Sequence, residues 1–202
     1  MKYEQAVYVV DDDASVRDSV CALVESMGMT ARAYESAEEF LASDGPGLPG
    51  CVVTDLRMRG MNGIELLEQL SRENRVMPVI IITGHASVPI TVRAMRKGAV
   101  TLLEKAYNNQ TLWDAIREGL KKDELERDLL ARQTEALNRL NCLTLAEREV
   151  VDLVVEGKSN KVIAKQLGVS VRTVENRRHR IFVKTKTESV PELVRLVDAT
   201  RR

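Results

Sequence analysis

The sequence AVYVVDDD, residues 6–13, decides the fold, because a short run of β-branched and aromatic residues ends directly on acidic ones. Residues 51–55 (CVVTD), 79–83 (VIIIT) and 100–105 (VTLLEK) repeat this design, with an apolar run that ends on polar or charged side chains. Such runs, separated by helical patterns, are typical of buried strands in a parallel sheet. The carboxyl ends of parallel strands border a ligand crevice. The sequence therefore predicts a pocket that gathers carboxylates, a hydroxyl and an ammonium group.

The stretches between these strands carry helical patterns. After the first strand, Val16, Val20, Val24 and Met27 recur at the spacing of one helix face. The resulting order βαβαβαβαβ predicts an α/β domain over residues 1–120, with a doubly wound, five-stranded parallel sheet.

The helical pattern after the fifth strand continues beyond this domain. Leu125, Leu129, Leu137 and Leu140 extend one stripe, and the segment holds no proline. We expect one long helix, with residues 121–140 as a linker. Either this helix is a solvated spacer, or its leucine stripe packs against a partner helix and forms a dimer.

Residues 141–202 contain four further helical patterns. Residues 144–147 (TLAE) form a capping box that opens the first of them. Residues 168–170 (GVS) separate the second from the third, and the third is rich in arginine. Two short helices joined by a glycine-containing turn, the second of them basic, are typical of a helix-turn-helix. The sequence thus predicts an all-α, four-helix domain behind the long helix.

Charge separates the two domains. Residues 1–120 hold 12 Lys and Arg against 17 Asp and Glu, a balance of −5, whereas residues 141–202 hold 13 against 8, a balance of +5. A basic last third is compatible with an anionic partner such as nucleic acid. Three dispersed cysteines form no CxxC pair, which argues against a zinc site or a disulfide framework.

The N-terminal segment favours a cytoplasmic protein. Residues 1–5 lack the charged and apolar regions of a signal peptide. No apolar run approaches the roughly 18 residues of a membrane span. We therefore expect no contact with a membrane.

Three carboxylates meet at the predicted pocket: Asp11 and Asp12 after the first strand, and Asp55 after the third. Like charges this close together are costly unless a cation compensates them. Oxygen ligands favour a hard ion such as Mg²⁺, which combines one or two carboxylates with waters and phosphate oxygens. Asp55 is then placed as a nucleophile that forms an aspartyl-phosphate. Lys105 and Thr83 supply positive charge and a hydroxyl donor for phosphate oxygens.

Residues 6–120 closely resemble a receiver domain of the response regulators of two-component signalling, which has a flavodoxin-like sheet. The resemblance rests on residues 10–12 (VDD), 54–58 (TDLRM), 82–85 (ITGH) and 103–105 (LEK).

This resemblance implies a role for each residue of the pocket. Asp55 is the phospho-acceptor, Thr83 is the switch hydroxyl, and Lys105 is the lysine typical of the family. The implied ligands of Mg²⁺ are Asp11, Asp12 (more directly), Asp55 and the backbone carbonyl of Arg57.

Three positions depart from the family pattern. The family usually has proline where this chain has Arg59, and again directly after the lysine, where Ala106 stands. It usually has an aromatic residue at the switch position, which is Leu102 here. A cis bond is prohibitive without proline, so we expect the loop after Lys105 to be trans or rearranged. The change at Leu102 concerns the coupling of Thr83 to an aromatic switch, not the acceptor chemistry.

Residues 143–198 resemble the LuxR type of DNA-binding domain, through residues 143–149 (LTLAERE), 157–161 (GKSNK) and 163–175 (IAKQLGVSVRTVE). A receiver followed by such a domain identifies the chain as a member of the NarL/FixJ family. Residues 82–89 (ITGHASVP) favour the FixJ side of that family.

The third helix of this domain is then the recognition helix. An inward stripe that includes Val174, Arg178 and Ile181 leaves other side chains free to enter the groove. Asn pairs bidentately with adenine and Arg with guanine. The base contacts we expect are Thr173, Asn176, Arg177 and Arg180. Phosphate contacts, which position the protein on DNA, are expected from Lys158, Lys161 and Arg172.

Both resemblances together predict a transcription regulator, not an enzyme, whose DNA binding is gated by phosphate transfer to Asp55. The implied partners are a sensor histidine kinase, double-stranded promoter DNA and, once phosphorylated, a second copy of the chain. RNA polymerase is a further candidate partner.

Two other functions compete with this one. In the first, DNA binding is independent of phosphorylation and the receiver serves only as a dimerisation module, which the residues at positions 59, 102 and 106 motivate. In the second, Asp55 is the nucleophile of a Mg²⁺-dependent phosphohydrolase. Such enzymes usually need a second carboxylate two residues later for acid–base catalysis, and this chain has Arg57 there.

Overall fold

The computed structural model describes residues 5–45, 48–75 and 77–200. The remaining positions of the predicted domains, at both ends and at 46–47 and 76, lie outside the described residues. The chain divides into two compact units, Met1–Arg127 and Asp128–Arg202. In the described part of the chain, no helix is long and apolar enough to cross a membrane. All three cysteines are free thiols.

The first unit is built on five strands: β1 (Ala6–Val10), β2 (Thr30–Tyr34), β3 (Gly50–Asp55), β4 (Val79–Thr83) and β5 (Thr101–Glu104). Their order across the sheet is β2-β1-β3-β4-β5, and every neighbouring pair is parallel. This is the strand order of a flavodoxin-like, doubly wound sheet. The predicted fold class is confirmed.

Helices cover both faces of this sheet: α1 (Ala14–Ser26), α2 (Ala37–Ala42), α3 (Gly63–Arg72), α4 (Val88–Arg96) and the start of α5 (Asn109–Asn141). Alternate residues of each strand enter different cores. Tyr8 packs in a core with Phe40, whereas Val9 packs in a second core with Ile116. Burial on both faces of β1, β3 and β4 explains why these strands read as apolar runs rather than as alternating patterns.

The second unit contains the end of α5 and four helices: α6 (Leu145–Val155), α7 (Asn160–Leu167), α8 (Val171–Thr185) and α9 (Val190–Ala199). They share one core, which includes Val150, Ile163 and Ile181. Thr144 and Glu147 form the predicted capping box at the start of α6. The predicted all-α, four-helix domain is thereby confirmed.

Helix α5 runs without a break over 33 residues, as predicted. Asp123 on this helix is fully buried. Its carboxylate accepts the backbone N–H of Gly50 at 3.0 Å and pairs with Arg127 Nε at 2.7 Å. Arg127 also donates to the Leu48 carbonyl at 2.7 Å. These bonds hold residues 121–127 of α5 in the first unit.

Candidate functional site

The carboxyl ends of β1, β3 and β5 bring Asp11, Asp55 and Lys105 together. Lys105 Nζ lies 2.7 Å from Asp55 Oδ1 and 3.6 Å from Asp11 Oδ2. The two carboxylates are only 3% and 6% exposed, whereas the Lys105 side chain is 36% exposed. The edge of the sheet therefore holds two buried carboxylates under an ammonium group that solvent can reach.

Backbone groups fix the directions of the two carboxylates. Asp55 Oδ2 accepts the N–H of Arg57 at 2.5 Å, and Asp11 Oδ1 accepts the N–H of Asp13 at 2.9 Å. Gly63 begins α3 directly behind Asp55. A Cβ there would lie 2.5 Å from the Asp55 carbonyl oxygen, so α3 can start this close to β3 only because residue 63 is glycine.

The pocket keeps Lys105 charged. Burial by itself lowers the pKa of Lys105, but the hydrogen bond and charge of Asp55, together with Asp11, outweigh it and raise that pKa. Burial also raises the pKa of Asp11, against the opposing effects of the Asp13 N–H and of Lys105. A fixed positive charge beside a buried carboxylate can stabilise an anionic group that reacts at Asp55.

Asp12 has a different partner. Its Oδ2 accepts the backbone N–H of Arg59 at 3.3 Å and lies 3.4 Å from Arg59 Nε. Nowhere in residues 5–45, 48–75 and 77–200 do three acidic, histidine or cysteine side chains assemble into a metal site. The three carboxylates at this edge are nevertheless hard oxygen donors of the kind that Mg²⁺ prefers. The donor chemistry fits Mg²⁺, and Asp12 is the carboxylate that pairs with Arg59 rather than with Lys105.

Thr83 lies at the end of β4 and is buried. Its hydroxyl donates to the carbonyl of His85 and accepts the N–H of the same residue, both at 3.2 Å. Its own carbonyl accepts the N–H of Lys105 at 2.7 Å. Thr83 thus joins the strand ends of β4 and β5, and its hydroxyl is engaged by the loop after β4.

The loop after Lys105 is trans, as expected, because no peptide bond in the described residues is cis. Ala106 has φ 87°, in the left-handed region that glycine favours. Together with α1, this loop lines an open cavity of about 300 Å³ that includes Ser15, Ser19, Lys105 and Tyr107. The side of the pocket at Lys105 is therefore accessible to a molecule from solution.

Replacement of Ala106 by glycine should stabilise the first unit by about 1 kcal/mol. A non-glycine residue in the left-handed region costs about 1–3 kcal/mol, which exceeds the roughly 0.5–1 kcal/mol of extra chain entropy that glycine loses on folding. Urea unfolding followed by the fluorescence of Trp113 measures the change. A lower free energy of unfolding for Ala106→Gly than for the wild type would contradict this account.

The predicted DNA contacts lie on α7, α8 and the turn before α7. Within the described residues, none of their charged members takes part in an ion pair. Five of the seven predicted contact residues are exposed: Lys158, Lys161, Arg172, Asn176 and Arg180. The other two, Thr173 and Arg177, are half-buried. Thr173 also completes the N-terminal cap of α8, since its N–H donates to the Ser170 hydroxyl at 3.1 Å.

Other cations of α8 serve packing inside the second unit. Arg178 donates to Asn160 Oδ1 at 2.7 Å and lies over the ring of Phe182, so it joins α7 to α8 as its inward phase predicts. Lys184 pairs at 2.7 Å with Glu147, which is buried. The hydrogen bond from Lys184 is the main reason that the pKa of Glu147 lies below its usual value. This last pair leaves no local signal in the sequence, because its members are 37 residues apart.

Comparisons with known proteins agree with both halves of the chain. Residues 7–117 match the response regulator receiver domain, and residues 141–197 match the luxR family of bacterial regulatory proteins. The chain is 40% identical to the transcriptional regulatory protein FixJ of Azorhizobium caulinodans, over 94% of this chain and 90% of that protein.

Two solved structures extend the similarity to the fold. The response regulator StyR has a TM-score of 0.87 at 39% identity, covering 96% of this chain and 98% of its own. Full-length FixJ from B. japonicum has a TM-score of 0.59 at 37% identity, covering 99% and 98%. Because family matches, whole-length relatives and topology agree, the chain belongs to the response regulators of the NarL/FixJ family, on the FixJ side, which join a receiver domain to a LuxR-type DNA-binding domain.

Proposed function

We propose that this protein is a transcription regulator switched by transfer of a phosphoryl group from a sensor histidine kinase to Asp55. The observation that carries the proposal is the 2.7 Å contact between Asp55 Oδ1 and Lys105 Nζ at the carboxyl edge of the sheet. A carboxylate that is buried, oriented by a backbone N–H and paired with an accessible ammonium suits a phosphoryl acceptor better than a purely structural ion pair.

In the proposed transfer, a carboxylate oxygen of Asp55 attacks the phosphorus atom of the donor. A bond forms between that oxygen and phosphorus, and the bond from phosphorus to the imidazole nitrogen of the donor breaks. Lys105 neutralises the negative charge of the phosphoryl oxygens during the transfer. Positioning and neutralisation of charge are the main contributions that a protein makes to this kind of reaction. The protein is the acceptor of the group in this scheme and not an enzyme that turns over a substrate.

Receiver domains generally bind Mg²⁺ at the phosphorylation site. In this chain Asp11, Asp12, Asp55 and the backbone carbonyl of Arg57 would hold it. When bound, Mg²⁺ supplies further neutralisation of charge on the phosphoryl oxygens.

Phosphorylation adds roughly −1.5 to −2 charges, which gives the Thr83 hydroxyl a stronger partner than the backbone of His85. A turn of this hydroxyl toward the phosphoryl group would release the loop that leads into α4. Helix α4 has one buried residue, Ala94, and an exposed apolar row of Val88, Val92 and Met95. We infer that this face, β5 and the linker part of α5 form the dimer of the phosphorylated protein.

The second unit would bind promoter DNA through α8, in the cytoplasm, where that DNA is found. A dimer reads two half-sites about one helical turn apart, and an activator bound there would also meet RNA polymerase. Asn176, Arg177, Arg180 and Thr173 are proposed to contact bases, and Lys158, Lys161 and Arg172 to contact phosphates.

The proposed roles of Asn176 and Lys161 predict two different losses. Asn176→Ala should weaken binding to the specific site by about 1–3 kcal/mol and leave non-specific binding unchanged, because it removes a base contact. Lys161→Ala should weaken binding to every sequence and reduce the salt slope by about one. Titrations of specific and unrelated duplexes at several salt concentrations separate the two. Equal losses on both duplexes for Asn176→Ala would contradict its assignment to a base.

The direct test of the proposed function treats the full chain with acetyl phosphate and Mg²⁺. We expect the intact mass to rise by one phosphoryl group and the affinity for promoter DNA to rise with it. Absence of the added mass would overturn phosphorylation as the input.

A second function is favoured by the region around Lys105. Ala106 replaces the usual proline in a strained conformation, and Leu102 replaces the usual aromatic switch. If these changes disconnect the pocket from the rest of the receiver, the first unit acts only as a dimerisation module. DNA affinity that is the same with and without acetyl phosphate, in a protein that does gain the phosphoryl mass, would support this second function.

A further inference from the structure

The loop between β3 and α3 places a cation beside one carboxylate of the acceptor pocket. Arg59 contacts Asp12 twice, through its backbone N–H at 3.3 Å and its Nε at 3.4 Å, and both contacts reach Asp12 Oδ2. The residue stands where the family usually has proline, which carries neither a positive charge nor a backbone N–H. A receiver with the usual proline at this position could therefore make neither contact.

The carboxylates of the pocket differ in what holds them. Asp11 and Asp55 are both buried and share Lys105. Asp12 is more open, with 29% of its side chain exposed, and the guanidinium that it faces is 92% exposed. An ion pair this exposed is weak, so a divalent cation can displace Arg59, but not without losing part of its own binding energy.

We propose that Arg59 competes with Mg²⁺ for Asp12 and thereby lowers the affinity of the pocket for Mg²⁺. This inference rests on the proposed function, in which Mg²⁺ binds beside Asp55. To bind Asp12, the ion must break the contact between Asp12 and Arg59. The positive charge of the displaced Arg59 then remains near the ion and repels it. The consequence is a receiver whose metal occupancy depends on the concentration of free Mg²⁺ rather than being saturated.

Calorimetric titration of the full chain with MgCl₂ tests this role. Arg59→Ala should lower the Kd for Mg²⁺ about 1.5-fold to fivefold, the range that an exposed ion pair allows. Arg59→Pro should lower it further, because proline also removes the N–H that donates to Asp12. Arg59→Lys keeps the positive charge, so its Kd for Mg²⁺ should lie between those of the wild type and Arg59→Ala.

Arg75→Ala is a matched control, since it removes the same charge from the same unit. Arg75 pairs with Glu73 at 2.6 Å, beyond the far end of α3, a helix of 10 residues and thus about 15 Å long. The Kd of the Arg75→Ala variant for Mg²⁺ should equal that of the wild type. In an Asp12→Asn background, Arg59→Ala should no longer change the Kd, because the group for which Arg59 competes is gone.

Each result decides the matter. Kd values that are the same for the wild type and Arg59→Ala, or lowered as much by Arg75→Ala, overturn the inference. So does the absence of Mg²⁺ binding in every variant, whereas binding that appears only after Arg59 is replaced supports it. If the wild type gains the phosphoryl mass while its Kd does not respond to Arg59, this inference alone fails and the proposed function stands. Arg59→Ala keeps the test valid if Arg59→Pro does not fold.

Discussion

Asp55→Asn should abolish both phosphoryl acceptance and the response of DNA binding to it. After treatment with acetyl phosphate and Mg²⁺, the wild type should gain one phosphoryl group in its intact mass, and the variant should gain none, because an amide is not a nucleophile of this kind. Coupling between two sites is typically worth about 5–150-fold in affinity. We expect a gain within that range for the wild type on promoter DNA and no gain for Asp55→Asn.

Asp13→Asn is the matched control for this change. It makes the same substitution in the same pocket region, at the residue that caps α1 by accepting the N–H of Ser15 at 2.8 Å. Asparagine caps a helix as well as aspartate does, so the fold should be preserved and the phosphoryl mass should still appear. A phosphoryl group on Asp55→Asn would place the acceptor elsewhere and refute the assignment of Asp55.

Asp123→Ala should destabilise the first unit by about 3 kcal/mol. The side chain is fully buried, and its loss leaves the buried N–H of Gly50 without its acceptor and removes the carboxylate opposite Arg127. Breaking one side of a buried pair typically costs about 3–5 kcal/mol. We take the lower end because the Arg127 side chain is partly exposed. Urea unfolding, followed by the fluorescence of Trp113 in the first unit, measures the loss.

Asp128→Ala serves as the control for Asp123→Ala. It removes the same carboxylate five residues further along α5, where the side chain is exposed. Its effect on the free energy of unfolding should stay within about 0.5 kcal/mol. If both variants unfold at the same urea concentration as the wild type, Asp123 is not the residue that holds α5 to the start of β3.

The pocket of Asp11, Asp55 and Lys105 was predictable because it depends on a rule of topology. Parallel strands joined by helices all end at the same edge of a sheet, so Asp11, Asp55 and Lys105 had to approach one another once their runs were recognised as strands. The contacts at 2.7 and 3.6 Å agree with this reasoning. The motifs of the second unit were predictable for a similar reason, since caps and helix stripes depend on residues three or four positions apart.

The partners of individual charged side chains were not predictable in the same way. Asp123 continues the helical stripe of Leu112, Ile116 and Leu120, so its position on the helix predicts a buried side chain. Its charge predicts an exposed one, because burying an unpaired carboxylate is costly. Its contacts with the N–H of Gly50, 73 residues away, and with Arg127 explain its burial.

By itself, the sequence determined the doubly wound sheet, the four-helix domain and the edge at which Asp11, Asp55 and Lys105 meet, because periodicity and strand polarity are local properties. The tertiary structure alone decided that Asp12 is held by Arg59 and that Asp123 anchors α5 to the start of β3. The physical reason is that an ion pair or hydrogen bond is set by distance in space, and residues far apart in the chain become neighbours only after the sheet and helices have packed.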